Sequence, residues 1–578
     1  MGHVTGALIL FTGGLALLVL GAAAVVVDRW QSAQRSRARH LVARDAADPV
    51  ARRTHVVGPF ELVVLAISTL YVMWTVLSSP VKGLANQGDY QRLTTQLGVA
   101  PVPSQPYSPY SLTYDYRVHQ TLTQLGFAPR FVTDPSLYHY YFGYHSSELL
   151  LAKVAIGLSS LLGRGSSFDL RWLGGLNALV WLLALTSLVV ATRQLGHRAR
   201  PVAVVLLALA FTDFGYLQYA NSFFSEPAEI GFLLLALGLA ACTPLVRRPV
   251  IPFSGFVVAS AMAVSAKTED AVVTIPLVAL GAYIAWRRLN PKRVKIAGSA
   301  SLVLIVAAGL WSWAPKVPYY TRYQLYQAVF DGILRTTPHP AQTLKSLGLS
   351  PTLARYAGYA AGSPKSGFAD SSTQTLFFPH ITVGKIVGFY LTHPGNLVSA
   401  LSSAAPHMLY LRPPYANLPA SPSSNWRGYL TDSPWTLVHR DLLPHSLWFV
   451  VAVIIAGAAI GVWSLTRGRR QSSPEVLVAT AVIAGLLFVE SPVGGGLEGL
   501  IKHSVAFNAL LDTVLIVLIA LVVDTAWSTA RPERRRPSRS GSVGAGSGGE
   551  AEARSTHDDA AAADDVDDHV GHIGIRGS

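Results

Sequence analysis

Residues 59–79 read P-F-E-L-V-V-L-A-I-S-T-L-Y-V-M-W-T-V-L-S-S, and residues 85–92 read A-N-Q-G-D-Y-Q-R. The first stretch is apolar over about 20 residues, the length that a helix needs to cross a bilayer. The second stretch carries a carboxylate at Asp89 and a guanidinium at Arg92. Together they predict a membrane-spanning helix with charged side chains just beyond the point where it leaves the bilayer.

The composition of the whole chain points to the same class of protein. Of its 578 residues, 51% are hydrophobic and only 13% are charged, which is typical of an integral membrane protein. The net charge of +14 comes from Lys and Arg residues that mostly fall in short loops between apolar runs, so we expect no nucleic-acid partner. The single cysteine, Cys242, excludes an intrachain disulfide.

Eleven apolar runs are long enough to cross a bilayer. They lie near residues 4–27, 59–79, 172–192, 201–217, 227–245, 250–266, 271–287, 296–314, 446–466, 474–490 and 504–526. The first run has no basic segment before it and is longer than the apolar core of a signal peptide, so we expect a retained span. A shorter run at 147–163 carries Glu148 and Lys153, and its placement follows from the charges of the loops.

The distribution of basic residues predicts the orientation of the spans. If 147–163 does not span, nearly every basic loop falls on one side, and the opposite short loops hold only Lys267 and Lys502. By the positive-inside rule, this arrangement places the N-terminus outside and the C-terminus inside. A twelfth span would leave either the seven-Arg loop over 29–53 or most later basic loops outside, so we expect an interfacial helix at 147–163.

The chain is therefore predicted to be an all-α polytopic membrane protein. Two large segments face outward, and amphipathic pieces such as 324–335 suit interfacial helices on the membrane core. The tail is Arg-rich, then Gly/Ser/Ala-rich, then acidic, which indicates disorder. The predicted parts are an N-terminal span with a basic cytoplasmic loop (1–58), a membrane domain (59–527) with outer loops 80–171 and 315–445, and a cytoplasmic tail (528–578).

Five groups of polar residues fall at the predicted outer ends of the spans. A charge near the bilayer costs roughly 3 kcal/mol unless it faces water or a partner, so several charges at one depth indicate a functional site. The groups are Asp89 with Arg92, 219–227 with Asn221 and Glu226, 265–270 with Lys267 and Glu269, 326–334, and 497–512 with Lys502 and His503.

Most of these groups also have a structural explanation. Glu226 precedes Pro227 at a helix start, where a carboxylate caps the helix or complements its dipole. Lys267 and Lys502 suit contacts with phospholipid headgroups. Asp89, in contrast, lies between an apolar helix and a polar loop with no evident cap to supply, which favours a functional role.

Five motifs occur in order along the chain: N-Q-G-D-Y-Q-R at 86–92, Y-A-N-S-F-F-S-E-P at 219–227, Y-Q-A-V-F-D-G-I-L at 326–334, F-Y-L-T-H-P at 389–394 and K-H-x-x-x-x-N-x-x-x-D at 502–512. With these motifs the chain resembles bacterial multi-spanning hexosyltransferases of the GT-C class, which act in glycan biosynthesis. The resemblance covers most of residues 60–525. It implies a GT-C-like bundle with the active site on the outer face of the membrane.

The resemblance also implies the substrates. Similar enzymes use a polyprenyl-phosphate-linked sugar as donor, and the acceptor is an envelope glycan or lipid. The phosphate is already a good leaving group, so the reaction needs a base for the acceptor hydroxyl and cations for the departing phosphate. Single displacement predicts inversion by a hexosyl- or pentosyltransferase. No cofactor is required, and although the many carboxylates are compatible with a divalent metal, no His/Asp spacing demands one.

The resemblance assigns roles to particular residues. It implies that Asp89 is the base and that Glu226 is the second choice, or a partner that binds acceptor hydroxyls. Cations at the membrane rim are positioned to offset the charge of the lipid phosphate. The substrate-binding candidates are Arg92, Asn221, Lys267, Glu269, Lys502 and His503.

Three alternatives remain open from the residues. A transporter or flippase for a polar or lipid-linked solute would use charges at mid-membrane depth, for which Glu61, Glu229 and Asp512 are the candidates. A non-catalytic scaffold of an envelope-assembly complex would explain the large loops and the tail, but it gives no reason for clustered acids and bases. A glycan polymerase or ligase is a closer relative of the predicted transferase.

Overall fold

A computed structural model describes residues 57–78, 83–84, 89–101, 113–115, 144–162, 167–313, 318–412, 416–417, 433–466 and 473–529. The predicted N-terminal span near 4–27 and nearly all of the predicted disordered tail over 528–578 lie outside the described residues.

Within these ranges the chain is mostly helical. The first helices are α1 (Pro59–Leu77), α2 (Gln91–Leu97), α3 (Ser147–Leu162), α4 (Arg171–Ala191), α5 (Ala199–Phe211), α6 (Phe214–Leu217), α7 (Glu226–Cys242), α8 (Val250–Val264), α9 (Thr274–Arg288), α10 (Lys292–Ser301) and α11 (Val303–Trp313). They are followed by α12 (Pro318–Tyr326), α13 (Pro340–Ser346), α14 (Ser371–Leu376), α15 (Val383–Thr392), α16 (Pro394–Met408), α17 (Pro434–Leu437), α18 (Leu447–Thr466), α19 (Pro474–Gly495), α20 (Leu500–His503) and α21 (Val505–Thr529).

Short 3₁₀ and π turns extend or connect several helices. The 3₁₀ turns are Thr192–Gln194, Thr243–Leu245, Glu269–Val273 and Pro351–Tyr356, and the π turns are Gln327–Ile333 and Val438–Leu442.

Five short strands were not anticipated by the all-α prediction. They are β1 (Gly83–Leu84), β2 (Ala100–Pro101), β3 (Thr113–Asp115), β4 (Ser167–Asp169) and β5 (Ala416–Asn417). β1 pairs antiparallel with β5, and β2, β3 and β4 form an antiparallel sheet in which Asp115 lies opposite both Ala100 and Ser167. These sheets connect remote loop segments, a pairing that strands of two or three residues do not signal in sequence.

Eight helical stretches in the described ranges are long and apolar enough to cross a membrane. They are Pro59–Leu77, Arg171–Gln194, Glu226–Leu245, Glu269–Arg288, Lys292–Trp313, Leu447–Thr466, Pro474–Gly495 and Val505–Trp527. Each coincides with one of the eleven predicted spans, so eight predictions are confirmed as candidate spans.

Two of the predicted spans are shorter than expected. The run 201–217 is broken after α5, because the Asp213 carboxylate accepts a hydrogen bond from the Gly215 N–H at 2.7 Å and starts the separate helix α6. The run 250–266 is helical only over the 15 residues of α8, which ends in a turn at Ser265. The run 147–163 forms α3, a 16-residue helix outside the candidate spans, and its interfacial placement stays a prediction.

The span that contains α7 is the most deeply buried of the eight candidate spans. This helix packs against α4 and α8, and nearly all of its side chains are buried, which explains why it is apolar on every face. α11 and α18, in contrast, expose the large apolar side chains Trp311, Trp313 and Trp448. Exposed tryptophans on apolar helices suit contact with lipid.

A second hydrophobic core lies within residues 318–408, most of the predicted second outer loop. Its centre is aromatic, with the rings of Tyr326 and Phe330 stacked at 4.3 Å between centroids and Phe377 packed against both. The segment 324–335 was expected to lie on the membrane as an interfacial helix. This expectation is wrong for residues 326–334, which are buried because the π turn packs between the aromatic core and α19.

Candidate functional site

A polar cavity of about 610 Å³ lies where the loop before α2, the turn before α9, helix α12, the end of α19 and helix α20 meet. Its lining includes most of the predicted site residues, namely Asp89, Arg92, Lys267, Glu269, Lys502 and His503. Glu226 lies in a small adjoining space that shares these six residues. Asn221 lies elsewhere, fully buried, with its amide donating a hydrogen bond to the Val76 carbonyl at 2.8 Å.

Asp89 is held between two cations. Its carboxylate forms one ion pair with Arg92 in the first turn of α2, at 2.7 Å, and a second ion pair with Lys502 in α20. Burial alone would raise the pKa of Asp89, but Arg92 and Lys502 outweigh burial and hold this pKa well below its usual range. Asp89 is therefore ionised, and it organises two positive charges at one wall of the cavity.

Arg92 connects this wall to the turn before α9. Its guanidinium lies over the ring of Tyr320, 4.6 Å from the centroid, and 5.8 Å from the ring centroid of Tyr144. The Tyr320 hydroxyl donates to the Glu269 carboxylate at 3.0 Å, and the Gln324 amide donates to the same oxygen at 2.6 Å. Glu269 is thus oriented by two neutral donors from α12.

Lys267 is already neutralised by buried carboxylates. Its ammonium group lies 3.0 Å from Glu226 and 2.6 Å from Glu229, both in the first turn of α7. Burial would lower the pKa of Lys267, but the two carboxylates raise it well above its ordinary value. The backbone N–H of Lys267 donates to Asp270 at 3.0 Å. The predicted role of Lys267 as a phosphate ligand would therefore compete with two existing ion pairs.

His503 contributes a neutral imidazole to the cavity. Burial and the positive charges of Lys502 and Lys267 lower its pKa to about 4. At neutral pH His503 is therefore not the cation that the sequence suggested, and it offers one hydrogen-bond donor and one acceptor instead.

Glu490 is a cavity residue that the sequence interpretation missed. It lies on α19, and its carboxylate folds back over Gly494, where an added methyl group would be 2.9 Å from its Oε1 atom. The sequence did contain a signal for Glu490, because it is the only acidic residue besides Glu475 in the predicted span 474–490. Its position at the end of that run made it look like an ordinary boundary residue.

An apolar groove of about 910 Å³ adjoins the polar cavity. Its walls come from α9, α11, α15 and α19, and Ile275, Leu310 and Trp313 on this groove are exposed on candidate spans. The groove and the cavity share Glu269, Gln324 and Glu490. The two spaces are therefore adjacent, with a polar boundary between them.

The charges proposed for a transport path each have a partner. Glu61 pairs with Arg200 at 2.6 Å, and Glu229 pairs with Lys267. Asp512 accepts hydrogen bonds from Tyr216 at 2.6 Å, Trp435 at 2.7 Å and His439 at 2.8 Å. These groups connect neighbouring elements, which accounts for their burial without a permeating solute.

Comparison with known proteins identifies the family. A family model described as the YfdI N-terminal transmembrane domain matches residues 50–539, which include every residue of the cavity and the groove. The chain belongs to this family. With eight candidate spans in its described part, this YfdI-family chain is a multi-pass membrane protein. No curated protein matches it.

Solved structures of an oligosaccharyltransferase from Archaeoglobus fulgidus are distantly similar to the YfdI-family chain. The AglB complex with an inhibitory peptide and a dolichol-phosphate is 16% identical, with a TM-score of 0.35 over 83% of this chain and 52% of that one. A complex with Zn and sulfate is 15% identical, with a TM-score of 0.36 over 80% and 49%. The chain thus spans about half the length of these structures, and the likeness carries no conclusion about activity.

Carboxylates are common ligands of divalent cations, so the site carboxylates are the candidates for metal binding. In the part of the chain that the structure describes, no group of three or more His, Cys, Asp or Glu side chains is arranged to hold a metal ion. Asp89, Glu226 and Glu269 are instead engaged by cationic or neutral side chains of the protein.

Proposed function

We propose that the protein transfers a sugar from a polyprenyl-phosphate-linked donor to an envelope glycan or lipid acceptor at the outer face of the cell membrane. One observation carries this proposal: a polar cavity adjoins an apolar groove on candidate membrane spans, and Arg92 and Lys502 form a cationic wall of that cavity. A lipid-linked sugar has the matching chemistry, since it joins a long apolar chain to a charged phosphate and a polar ring.

The apolar groove suits the polyprenyl chain. Moving one methylene group from water to an apolar surface contributes about 0.8 kcal/mol to the free energy of binding. A donor in the bilayer has already left water, so its binding to the groove gains little from this transfer. The groove therefore supports lateral entry and orientation of the donor more than its affinity. Exposed Ile275 and Leu310 on the groove suit contact with such a chain.

The cationic wall suits the donor phosphate. Arg92 and Lys502 share one carboxylate, Asp89, so a phosphate at this wall meets two positioned cations that keep one net positive charge. As the bond to the sugar breaks, negative charge grows on the phosphate, and the two cations stabilise this charge. His503 supplies a neutral hydrogen-bond donor beside them.

The remaining assignments stay predictions. The resemblance to GT-C hexosyltransferases predicts Asp89 as the base and Glu226 as the second choice, but both carboxylates are held in ion pairs, which makes them poor proton acceptors. The orientation with the cavity outside follows from the positive-inside rule. An outer compartment is not expected to supply nucleotide sugars, whereas a lipid-linked donor enters from the bilayer. Inversion at the sugar is expected from single displacement.

The proposal is tested with membranes that contain the overproduced protein, native envelope acceptors and a panel of radiolabelled polyprenyl-phosphate hexoses and pentoses. Lys502→Met removes one charge of the cationic wall, and Lys345→Met, at an exposed lysine outside the cavity, is the matched control. We expect wild type and the control to transfer label from at least one donor, and Lys502→Met to lose roughly 10-fold or more.

The alternatives give different results in this assay. A flippase of lipid-linked sugars would move the labelled donor across vesicles without transferring sugar. A polymerase or ligase would transfer preassembled glycans and not single sugars. Equal transfer by Lys502→Met and Lys345→Met, at equal protein levels, would contradict the role of the cationic wall.

A further inference from the structure

Glu490 occupies the boundary between the polar cavity and the apolar groove, and it lines both. Its half-buried side chain comes from α19, and Gly494, four residues later on the same helix, leaves the space into which the carboxylate folds. A side chain at position 494 would crowd this carboxylate at 2.9 Å. The lack of a side chain at Gly494 thus leaves room for the Glu490 carboxylate beside the last turn of α19.

The other carboxylates of the cavity are engaged. The pairs are Asp89 with Arg92 and Lys502, Glu229 with Lys267, Glu269 with Tyr320 and Gln324, Asp270 with the Lys267 backbone, and Glu498 with Gln327. Glu490 makes no hydrogen bond and no ion pair with any residue that the structure describes. Its oxygens are thus available to a ligand in the cavity.

A general base must have an oxygen that is free to accept a proton. A carboxylate between two cations accepts a proton poorly, because protonation removes both ion pairs. Asp89 is in this situation, and Glu226 is paired with Lys267. An unpaired carboxylate at the place where the donor phosphate enters the cavity lacks this obstacle.

We propose that Glu490 is the general base of the transfer reaction, the group that accepts the proton of the acceptor hydroxyl. This assignment rests on the proposed function and names the residue that performs one of its steps. In it, Arg92 and Lys502 receive the phosphate, and Asp89 is the positioning residue that holds these two cations.

The step balances without any further reactant. The acceptor oxygen forms a bond to the anomeric carbon of the donor sugar, while the bond from this carbon to the phosphate oxygen breaks. The electron pair of the broken bond leaves with polyprenyl phosphate, and the proton of the acceptor hydroxyl goes to the Glu490 carboxylate. Loss of this proton to water restores the base.

The test separates donor binding from chemistry. Donor binding is measured by photo-crosslinking of a photoreactive polyprenyl-phosphate hexose to the full-length protein in membranes, and sugar transfer is measured with the radiolabelled donor. The variants are Glu490→Gln, Glu490→Ala and Asp89→Asn. Glu498→Gln is the control, because it replaces a cavity carboxylate by an amide that still reaches Gln327.

We expect Glu490→Gln to keep crosslinking within about twofold of wild type and to lose transfer by roughly 100-fold or more, the usual contribution of a general base. Sodium formate should restore part of the transfer by Glu490→Ala, because a small carboxylate can occupy the vacated space. A structural role of Glu490 would not produce such rescue. Glu498→Gln should transfer at a rate near that of wild type.

Three results would overturn the assignment. One is transfer by Glu490→Gln within threefold of wild type. Another is loss of crosslinking in step with loss of transfer, which would make Glu490 a binding residue. The third is loss of transfer by Asp89→Asn with full crosslinking while Glu490→Gln remains active, which would make Asp89 the base. Absence of transfer by wild type with every donor would refute the proposed function itself.

Discussion

Lys267→Met is the substitution whose effect on stability follows most directly from the structure. The Lys267 side chain is 7% exposed and pairs with Glu226 at 3.0 Å and Glu229 at 2.6 Å, whose side chains are 3% and 4% exposed. Methionine fills similar space but carries no charge. The substitution therefore leaves two carboxylates buried side by side at the start of α7 without a cation.

The cost is set by these unpaired carboxylates. Breaking a buried ion pair by removal of one partner costs about 3 to 5 kcal/mol, because the other charge stays buried. Protonation of one carboxylate limits the additional repulsion between the two. For a large protein, about 4 kcal/mol corresponds to a decrease in Tm of roughly 10 °C.

A rescue variant separates the loss of charge from the loss of packing. Replacing Glu226 and Glu229 by Gln in the Lys267→Met background removes the unpaired charges and leaves neutral groups. An unpartnered buried polar group costs about 1 to 3 kcal/mol, but two adjacent amides can hydrogen-bond to each other, which two carboxylates cannot do, and this reduces the cost of burying both. We therefore expect the triple variant to recover at least half of the lost Tm.

The measurement is thermal unfolding of the purified proteins in detergent, followed by tryptophan fluorescence at pH 7. A Tm of Lys267→Met within about 2 °C of wild type would refute the energetic reasoning. A triple variant no more stable than the single variant would show that the carboxylates are not the cause. Full crosslinking of the donor by the triple variant would exclude Lys267 as a phosphate ligand.

Three further predictions concern other polar groups. Burial would lower the pKa of His439, but the Asp512 carboxylate raises it. The stabilisation from this pair is complete below about pH 6.5 and is lost as the pH rises through the folded pKa of His439. Tm should therefore fall at alkaline pH in wild type and not in His439→Gln. Because the pKa of Asp89 is lowered, its stabilisation is complete above about pH 4 and is lost as the pH falls from there through the folded value. Asp89→Asn should therefore decrease Tm equally at pH 5.5 and pH 8, and a decrease at one pH alone would contradict this. Gly494→Ala should displace the Glu490 carboxylate and so reduce sugar transfer. The protein should lose less than about 1 kcal/mol of stability, since the end of a flexible side chain can move. Unchanged transfer would contradict this placement of the carboxylate.

The sequence predicted the membrane architecture because that architecture depends on local properties. Apolar length is a property of a single segment, and eight of the predicted runs coincide with candidate spans in the described residues. The run 201–217 is apolar throughout its first half, but Asp213 caps a new helix and so divides the run in two. The Asp213 carboxylate is also held by the distant Ser433 and Thr436 side chains, on which this break in the helix depends.

The members of the site were predictable in part, for a related reason. Polar residues at the ends of apolar runs stand out in any sequence, so Asp89, Lys267 and Lys502 could be named in advance. Glu490 could not, since one acidic residue at the end of a span is ordinary. Its significance lies in the absence of a partner among the described residues, which is a property of the folded chain.

The sequence by itself determined that this is a multi-spanning helical protein with polar groups at the ends of its spans, because hydropathy and charge act over short distances along the chain. Only the tertiary structure decided which charges meet. It pairs Lys502 with Asp89 across 413 positions, neutralises Lys267 with two glutamates of α7, and leaves Glu490 without a partner in the described chain, beside an apolar groove. Ion pairing depends on distances of a few Å in space, and no pattern along the chain encodes these distances.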